Sequence, residues 1–432
     1  MTTTYDPHNP KYLDESDLRG ELERVYDLCH GCRLCFNLCP SFPTLFRAID
    51  GHDGDVAAMT VAEQDKVVDE CYQCKLCYVK CPYVPPHEWD LDFPRLMMRA
   101  HAVRVAKGGR PITERAADQV LARTDLVGRL SSAAAPLANA LTGTPGSLPR
   151  KLMEASAGIA SQRVLPPYAR ERFTTWFKRR KPVPVESPRA EVSVFPTCFV
   201  EYMEPGIAKD LVGVYERNSI ACSLPAGTKC CGAPWLHNGN IAKFESVARH
   251  NVVALANEVR AGRDVVVAQP TCAYVLRKDY PIYAPGVEAD LVAAHTFDAS
   301  EYLMNEHRRD GGGLDTVFPV AVPENVVYHL ACHLRAQNVG FRGRDLMKLT
   351  GAKVTIVDRC SGIDGTWGYR AENYELARKV AQPLAREITA ARTSAVCGDC
   401  HLANTAIKQE TGLTPVHPIQ FVARAYGIAE ET

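Results

Sequence analysis

The chain has 432 residues, 46% of them hydrophobic and 23% charged, with lysine plus arginine equal to aspartate plus glutamate at 50 each. That length exceeds what one core supports and predicts two to four domains, and the balanced charge supplies no long-range field for nucleic acid or an anionic membrane. Seventeen cysteines behind a start, MTTTYDPHNPKYLDE, that has no basic region followed by an apolar core argue for metal ligation on the cytoplasmic side and against disulfides; no run of 18 apolar residues offers a transmembrane span.

Residues 1–95 carry eight of the cysteines in two copies of one motif. Cys29, Cys32, Cys35 and Cys39, followed by Pro40, have the spacing Cys-x2-Cys-x2-Cys-x3-Cys-Pro, and Cys71, Cys74, Cys77 and Cys81, followed by Pro82, repeat it. A cubane needs four thiolates around one centre; a tight loop supplies three, and the fourth reaches the other cluster. Cys29, Cys32, Cys35 and Cys81 are therefore expected around one [4Fe-4S] cluster, and Cys71, Cys74, Cys77 and Cys39 around a second. Four-cysteine zinc sites normally use two separated Cys-x2-Cys pairs, which this spacing does not resemble. The 31 residues between Cys39 and Cys71 include AAMTVAEQDKVVDE, which reads as a helix, so a helical ferredoxin domain is expected. Leu34, Phe36, Leu76 and Tyr78 are expected to shield the clusters.

Residues 96–188 contain no cysteine and read as a helical connector broken at Pro136, Pro145, Pro149 and Pro166-Pro167. Within it Val120, Leu121, Leu126, Leu130, Leu137 and Leu141 recur at near-helical intervals. Such a stripe suits a core face or a membrane face equally, and packing against the other domains is the first expectation. KRRKPVPVESPRAE, residues 178–191, reads as a linker.

The remaining cysteines fall in an internal repeat, residues 189–310 and 324–428. In the first copy EVSVF precedes Cys198, then come Cys230-Cys231-Gly232, a helix over 241–261, DVVVA, and QPTC ending at Cys272. In the second, ENVVYHL leads to Cys332 and KVTIVD to Cys360-Ser361-Gly362; a helix over 372–391 follows, and SAV leads to Cys397-Gly398-Asp399-Cys400. Short β-branched runs alternating with helices predict parallel β-α-β units, and cysteines that follow strands gather at the carboxyl edge of the sheet. Cys222 lies outside the motif and reads as a small core hydrophobe; His329, His333 and His401 read as structural. The fold class expected is α+β and α/β multidomain: a helical two-cluster ferredoxin domain, a helical connector and two repeated α/β cysteine-rich domains.

Cys-x31-Cys-Cys-Gly-x36-Gln-x2-Cys resembles the cysteine-rich domain shared by the B subunit of heterodisulfide reductase, the glycolate oxidase iron-sulfur subunit, lactate-utilisation proteins and the C subunit of anaerobic glycerol-3-phosphate dehydrogenase. The resemblance is strongest to the last, in CFVEYMEPGIAKDL, PTCAYVLRKDYP, CSGIDGTWGYRAENY and CGDC. It implies an oxidoreductase component that takes electrons from a flavoprotein dehydrogenase or other redox protein and passes them on. Two [4Fe-4S] clusters and the cysteine-rich half would deliver them to a quinone or another acceptor, with peripheral contact at the cytoplasmic face of a membrane. The chain also departs from the pattern. Complete motifs in the heterodisulfide reductase relative hold a noncubane cluster on five cysteines and perform disulfide chemistry; here Gln269 and Ser361 each replace a cysteine, and a serine oxygen is a poor soft-metal ligand. Four thiolates remain in each repeat, Cys198, Cys230, Cys231 and Cys272, and Cys332, Cys360, Cys397 and Cys400, leaving room for one or two further iron-sulfur clusters. The alternative is a thiol or disulfide reductase with its catalytic cluster in the second repeat. No Gly-x-Gly-x-x-Gly follows a strand, so flavin or nicotinamide chemistry is expected on another polypeptide, and no catalytic residue is assigned.

Overall fold

The computed structural model describes residues 5–108, 112–181, 185, 187–363 and 365–428. Five helices build the amino-terminal part: α1 (Glu15–Cys32), α2 (Ser41–Asp50), α3 (Val61–Asp69), α4 (Leu76–Lys80) and α5 (Phe93–Lys107). The helix read in AAMTVAEQDKVVDE starts at a capping box, Thr60 N–H donating to Glu63 Oε2 at 2.8 Å and Glu63 N–H to Thr60 Oγ1 at 3.3 Å, which satisfies two backbone donors the helix leaves open. Leu18, Leu22 and Tyr26 of α1 pack with Phe42, Leu45 and Ile49 of α2, Val67 of α3 and Leu96 of α5. Both cysteine motifs turn at equivalent places. Arg33 and Lys75, each directly after the second cysteine of its motif, adopt φ of 53° and 64°, a left-handed kink that tightens the loop.

The connector folds as α6 (Ile112–Ala122), α7 (Thr124–Ala133), α8 (Ala135–Thr142), α9 (Leu148–Ala157) and α10 (Phe173–Arg179). Pro136 and Pro149 lie in the first turns of α8 and α9, where the missing N–H breaks no helical bond. The expectation that the leucine stripe is covered is corrected: Val120, Leu126, Leu130, Leu137 and Leu141 are exposed, Leu130 to 64% and Leu137 to 62%, and Leu148 and Leu152 of α9 join them. What these helices turn to the protein is small. A Cβ on Gly128 of α7 would lie 2.4 Å from the Tyr202 ring. The connector then crosses to the far end of the chain, with Ala160 N–H donating to Tyr369 O at 2.9 Å and Ala371 N–H to Gly158 O at 2.8 Å. The linker reading over 178–191 falls in part on 182–184 and 186, outside the described residues.

Two parallel sheets follow. The first has the order β2-β1-β3-β4, with β1 Ala190–Val194, β2 Ile220–Ser223, β3 Asp264–Val267 and β4 Thr296–Asp298. The second has the order β6-β5-β7, with β5 Asn325–His329, β6 Lys353–Val357 and β7 Val396–Gly398. The fold is therefore mixed, a helical amino-terminal part and two α/β repeats, with the long helices at Ile241–Arg260 and Tyr374–Ala390. Sequence reading missed β2 and β4. At four and three residues they are too short for a hydrophobic period to show, and they form because the longer neighbours β1 and β3 offer open edges. Cys222 of β2 packs half-buried against the core of the first sheet.

Candidate iron-sulfur sites

The amino-terminal cysteines stand around two small cavities. Cys29, Cys32, Cys35 and Cys81 line one, and Cys39, Cys71, Cys74 and Cys77 line the other. Cys81 of the second motif thus sits with the first three cysteines, and Cys39 of the first with the last three. Burial, and then the neighbouring Cys35, Cys81 and Cys32, push the Cys29 thiol well above its ordinary value; burial followed by Cys74, Cys71, Cys39 and Cys35 does the same to Cys77. Four thiolates in one desolvated cavity repel one another unless cationic metal replaces their protons. That donor set fits iron. The cavities are neighbours, since Cys35 of the first acts on Cys77 of the second. Of the residues expected to shield them, Leu34 lines the first cavity but is 46% exposed, and Phe36 is 50% exposed. Phe42, Phe46 and Tyr83 cover the first cavity instead, and Tyr72 and Phe93 the second.

In the second repeat Cys332, Cys360 and Cys400 line one cavity together with Ser361. Each follows a strand: β5, β6 and β7 respectively. Cys397, expected as the fourth, is not with them. It lies within β7, paired in register with Tyr328, and its side chain packs with Val326, Tyr328, Met347 and Phe421. Neighbouring strands turn paired residues to the same face, so Cys397 follows Tyr328 into the core while Cys400, past the strand end, reaches the edge. The Cys360 thiol donates to the Tyr72 hydroxyl oxygen at 3.3 Å, and its Sγ accepts from Gly362 N–H at 3.3 Å. Only glycine fits that loop: Gly362 has φ of 68°, and a Cβ there would meet Ala377 O at 2.1 Å. The flanking histidines hydrogen-bond to main chain, His329 with Arg359 O at 3.0 Å, His333 with Gln73 O at 3.1 Å and His401 with Ala268 O at 3.1 Å. Burial pushes His401 down to about 4, and burial with Lys75 nearby pushes His333 down to about 3. All three are neutral structural groups.

The first repeat brings its four cysteines together. Cys231 Sγ and Cys272 Sγ are 3.2 Å apart, and hydrogen bonds from the Cys198 and then the Cys231 thiols pull Cys230 well below the usual thiol range. The backbone is held from several sides: Cys230 N–H donates to Asp125 Oδ2 at 2.9 Å, Asn251 Nδ2 to Cys230 O at 3.2 Å, and Tyr280 OH to Cys231 O at 3.0 Å. Gln269, in the position of the missing cysteine, donates Nε2 to Cys400 Sγ at 3.5 Å and accepts from His401 N–H at 3.3 Å.

Two families match. One described as 4Fe-4S dicluster domain covers residues 21–82, and one described as Cysteine-rich domain covers residues 192–277 and again 326–403. Over 309 residues the chain is 31% identical to the C subunit of anaerobic glycerol-3-phosphate dehydrogenase from Escherichia coli (strain K12), spanning 71% of this chain and 76% of that protein. The chain belongs to the family of that C subunit. Further relatives are the B subunit of fumarate reductase (CoM/CoB) from Methanothermobacter marburgensis, 27% identical over 52% of this chain and 42% of its own length, and the lactate utilization protein A of Shouchella clausii, 26% identical over 41% and 74%. This C-subunit homologue is an iron-sulfur electron-transfer component of the class that serves dehydrogenase and reductase complexes. Among its described residues no helix is long and apolar enough to cross a membrane.

The thiol sites of this C-subunit homologue follow one another without a gap. Cys74 of the second amino-terminal cavity also lines the cavity of the second repeat, and burial, then Cys332, Cys39 and Cys360, push its thiol well up. Gln269 ties that repeat to the first, because it also lines the cavity holding Cys198, Cys230, Cys231 and Cys272. Sequence reading did not identify Tyr72 or Gln269 as connectors. Tyr72 stands beside a motif cysteine and belongs to no motif itself; its partner, Cys360, is 288 positions away.

Proposed function

We propose that this chain relays electrons from a partner flavoprotein dehydrogenase, or another redox protein, to a quinone or another acceptor. Cys29, Cys32, Cys35 and Cys81 would hold one [4Fe-4S] cluster and Cys39, Cys71, Cys74 and Cys77 another, with further iron-sulfur centres in the repeats. Bound clusters of this kind supply one-electron transfer. The observation that carries the reading is the unbroken order of thiol sites, joined by Tyr72 to Cys360 and by Gln269 to Cys400. The units doing this are residues 1–95, 96–188, 189–310 and 324–428. Cys32 is exposed, exposed Leu34 lines the first site and exposed Phe36 stacks on Phe46 of its lining, which suits docking of the donor there.

The connector leucines supply the other contact. From Leu126 to Met153 the sequence has no acidic residue, while Arg129 and Lys151 flank the leucines. An apolar face edged by basic residues suits peripheral contact with an anionic lipid surface, on the cytoplasmic side. Iron and acid-labile sulfide per purified chain test the relay: about eight irons mean the amino-terminal sites alone, about twelve to sixteen mean occupied repeats, and fewer than about eight refute the assignment.

One observation favours the alternative, catalysis on a thiol or disulfide in the second repeat. Its cavity presents three of the repeat's own thiols with Ser361 in place of a further cysteine, a set that leaves a ligand position open unless Cys74 turns to it. Turnover of a disulfide substrate with reduced dye, lost in Cys360→Ala, supports catalysis; its absence leaves the relay.

A further inference from the structure

The cavity beside the first repeat is far larger than four thiols need. It measures about 310 Å³, against about 20 and 10 Å³ for the amino-terminal pair. One end is formed by Cys198, Cys230, Cys231 and Cys272; the rest is apolar wall from the connector and its flanks, including Leu121, Val127, Ile159, Leu165 and Phe199. Ligand pockets have this make-up, apolar surface with a few placed polar groups.

One polar group stands out in it. Tyr369 lines the cavity and is 7% exposed, and its hydroxyl has no hydrogen-bond partner among the described residues. The ionisable groups that act on its phenol are the Arg163 guanidinium first, then Cys400, Tyr168 and Cys198. Buried hydroxyls without partners are rare, because the desolvated group forfeits the bonds it made in water. A ligand oxygen at this point would satisfy it.

The wall also indicates how a ligand arrives. Thr142 of α8 and Met153 of α9 line the cavity, and each is adjacent in sequence to an exposed leucine, Leu141 and Leu152. Val120, itself exposed, also lines it. The wall of the slot therefore adjoins in sequence the exposed leucines of the connector.

We infer that this cavity is the binding site for a lipid-soluble quinone, with the Tyr369 hydroxyl donating to one ring carbonyl beside the thiols of the first repeat. The inference rests on the relay reading above and assigns its acceptor a class and a place. An apolar slot selects a flat hydrocarbon ring over a charged acceptor, the unpartnered donor requires a carbonyl on it, and the adjoining leucines suit an isoprenoid tail. Reduction to the quinol converts both carbonyls to hydroxyls and takes two electrons, supplied by the partner donor through this chain, and two protons from solvent.

The test is fluorescence titration of the full, iron-loaded chain with 2-heptyl-4-hydroxyquinoline N-oxide, a ring that carries an acceptor oxygen and an alkyl tail, with competition by decylubiquinone. Saturable quenching that decylubiquinone reverses is expected. Tyr369→Phe should weaken binding roughly tenfold, the worth of one hydrogen bond, and Val127→Trp, which fills the slot, should abolish it. Iron and sulfide content checks that each variant retains its thiol sites; if Val127→Trp loses iron, Leu165→Trp fills the slot from the opposite wall. Absence of quenching in the unaltered chain, or equal binding by Tyr369→Phe and both tryptophan variants, overturns the site. Failure of the relay reads differently: a chain that binds the probe but, once reduced by methyl viologen, passes no electrons even to a soluble dye has the site without the relay.

Discussion

Gly362 gives the sharpest test of how the second-repeat site is built. An alanine there bears two separable costs. Its φ of 68° lies in the left-handed region, which costs a residue with a Cβ roughly 1–2 kcal/mol. The new Cβ would also stand 2.1 Å from Ala377 O in the backbone of the Tyr374–Ala390 helix, so the loop must move, and overpacking of that kind costs roughly 1–3 kcal/mol. Gly412, which ends the His401–Thr411 helix with φ of 75° and has nothing within 4 Å of where a Cβ would stand, bears only the first cost. Gly362→Ala is therefore expected to lose about 2–5 kcal/mol and Gly412→Ala about 1–2 kcal/mol. Urea unfolding followed by tryptophan fluorescence, compared at a common slope, measures both. The Gly362 N–H also donates to Cys360 Sγ, so the shifted loop should release iron from Gly362→Ala at lower urea. Equal midpoints for the two variants would refute the close approach and with it the account of this loop.

Cys39→Ser is expected to disturb the electron paramagnetic signature of the site formed by the second motif and to spare that of the first, because Cys39 lines the cavity of Cys71, Cys74 and Cys77; loss of the first signature alone would reverse the assignment. Cys397→Ala should keep its iron and lose only about 1 kcal/mol of stability, whereas Cys400→Ala should lose iron, since Cys397 packs in the core and Cys400 lines the cavity. Tyr72→Phe removes the hydroxyl hydrogen-bonded to Cys360 Sγ; against a metal-bound thiolate that hydroxyl would be the donor and favour added negative charge, so the midpoint potential of the second-repeat centre should fall by tens of millivolts, at about 59 mV per tenfold change for one electron, and an unchanged potential counts against Cys360 as a ligand. Leu130→Glu with Leu137→Glu should abolish flotation with vesicles containing anionic lipid while leaving iron content intact, and undiminished flotation would sink the membrane reading.

The sequence displays the thiol chemistry because ligand spacing is local: three cysteines of each amino-terminal motif sit on one turn, and the residues after β1, β5 and β6 reach a sheet edge by topology alone. It does not display features set by register or by distant partners. Cys397 and Cys400 are both cysteines of one Cys-x2-Cys pair, and only the pairing of β7 with β5 decides that the first enters the core. The leucines of α7 and α8 have a clear helical period, yet a period shows that one face is apolar without showing whether anything covers it. Tyr72 and Gln269 acquire their roles across 288 and 131 positions, from partners no local pattern signals.

Gln269 ties the two repeats together. In the first repeat it occupies the place of a cysteine, and read alone it marks a site with one ligand missing. In the folded chain its amide spans the boundary, donating to Cys400 Sγ while its oxygen accepts from His401 N–H. A cysteine there would be too short and too weak a donor to make both contacts. Its place is equivalent to that of Cys397, which the second repeat also withholds from its cavity. At this one motif position, then, neither repeat supplies a thiol to its own site: one side chain stabilises the core and the other joins the sites. The departure at Gln269 thus removes a thiol from the first repeat and adds a polar link to the cavity of the second.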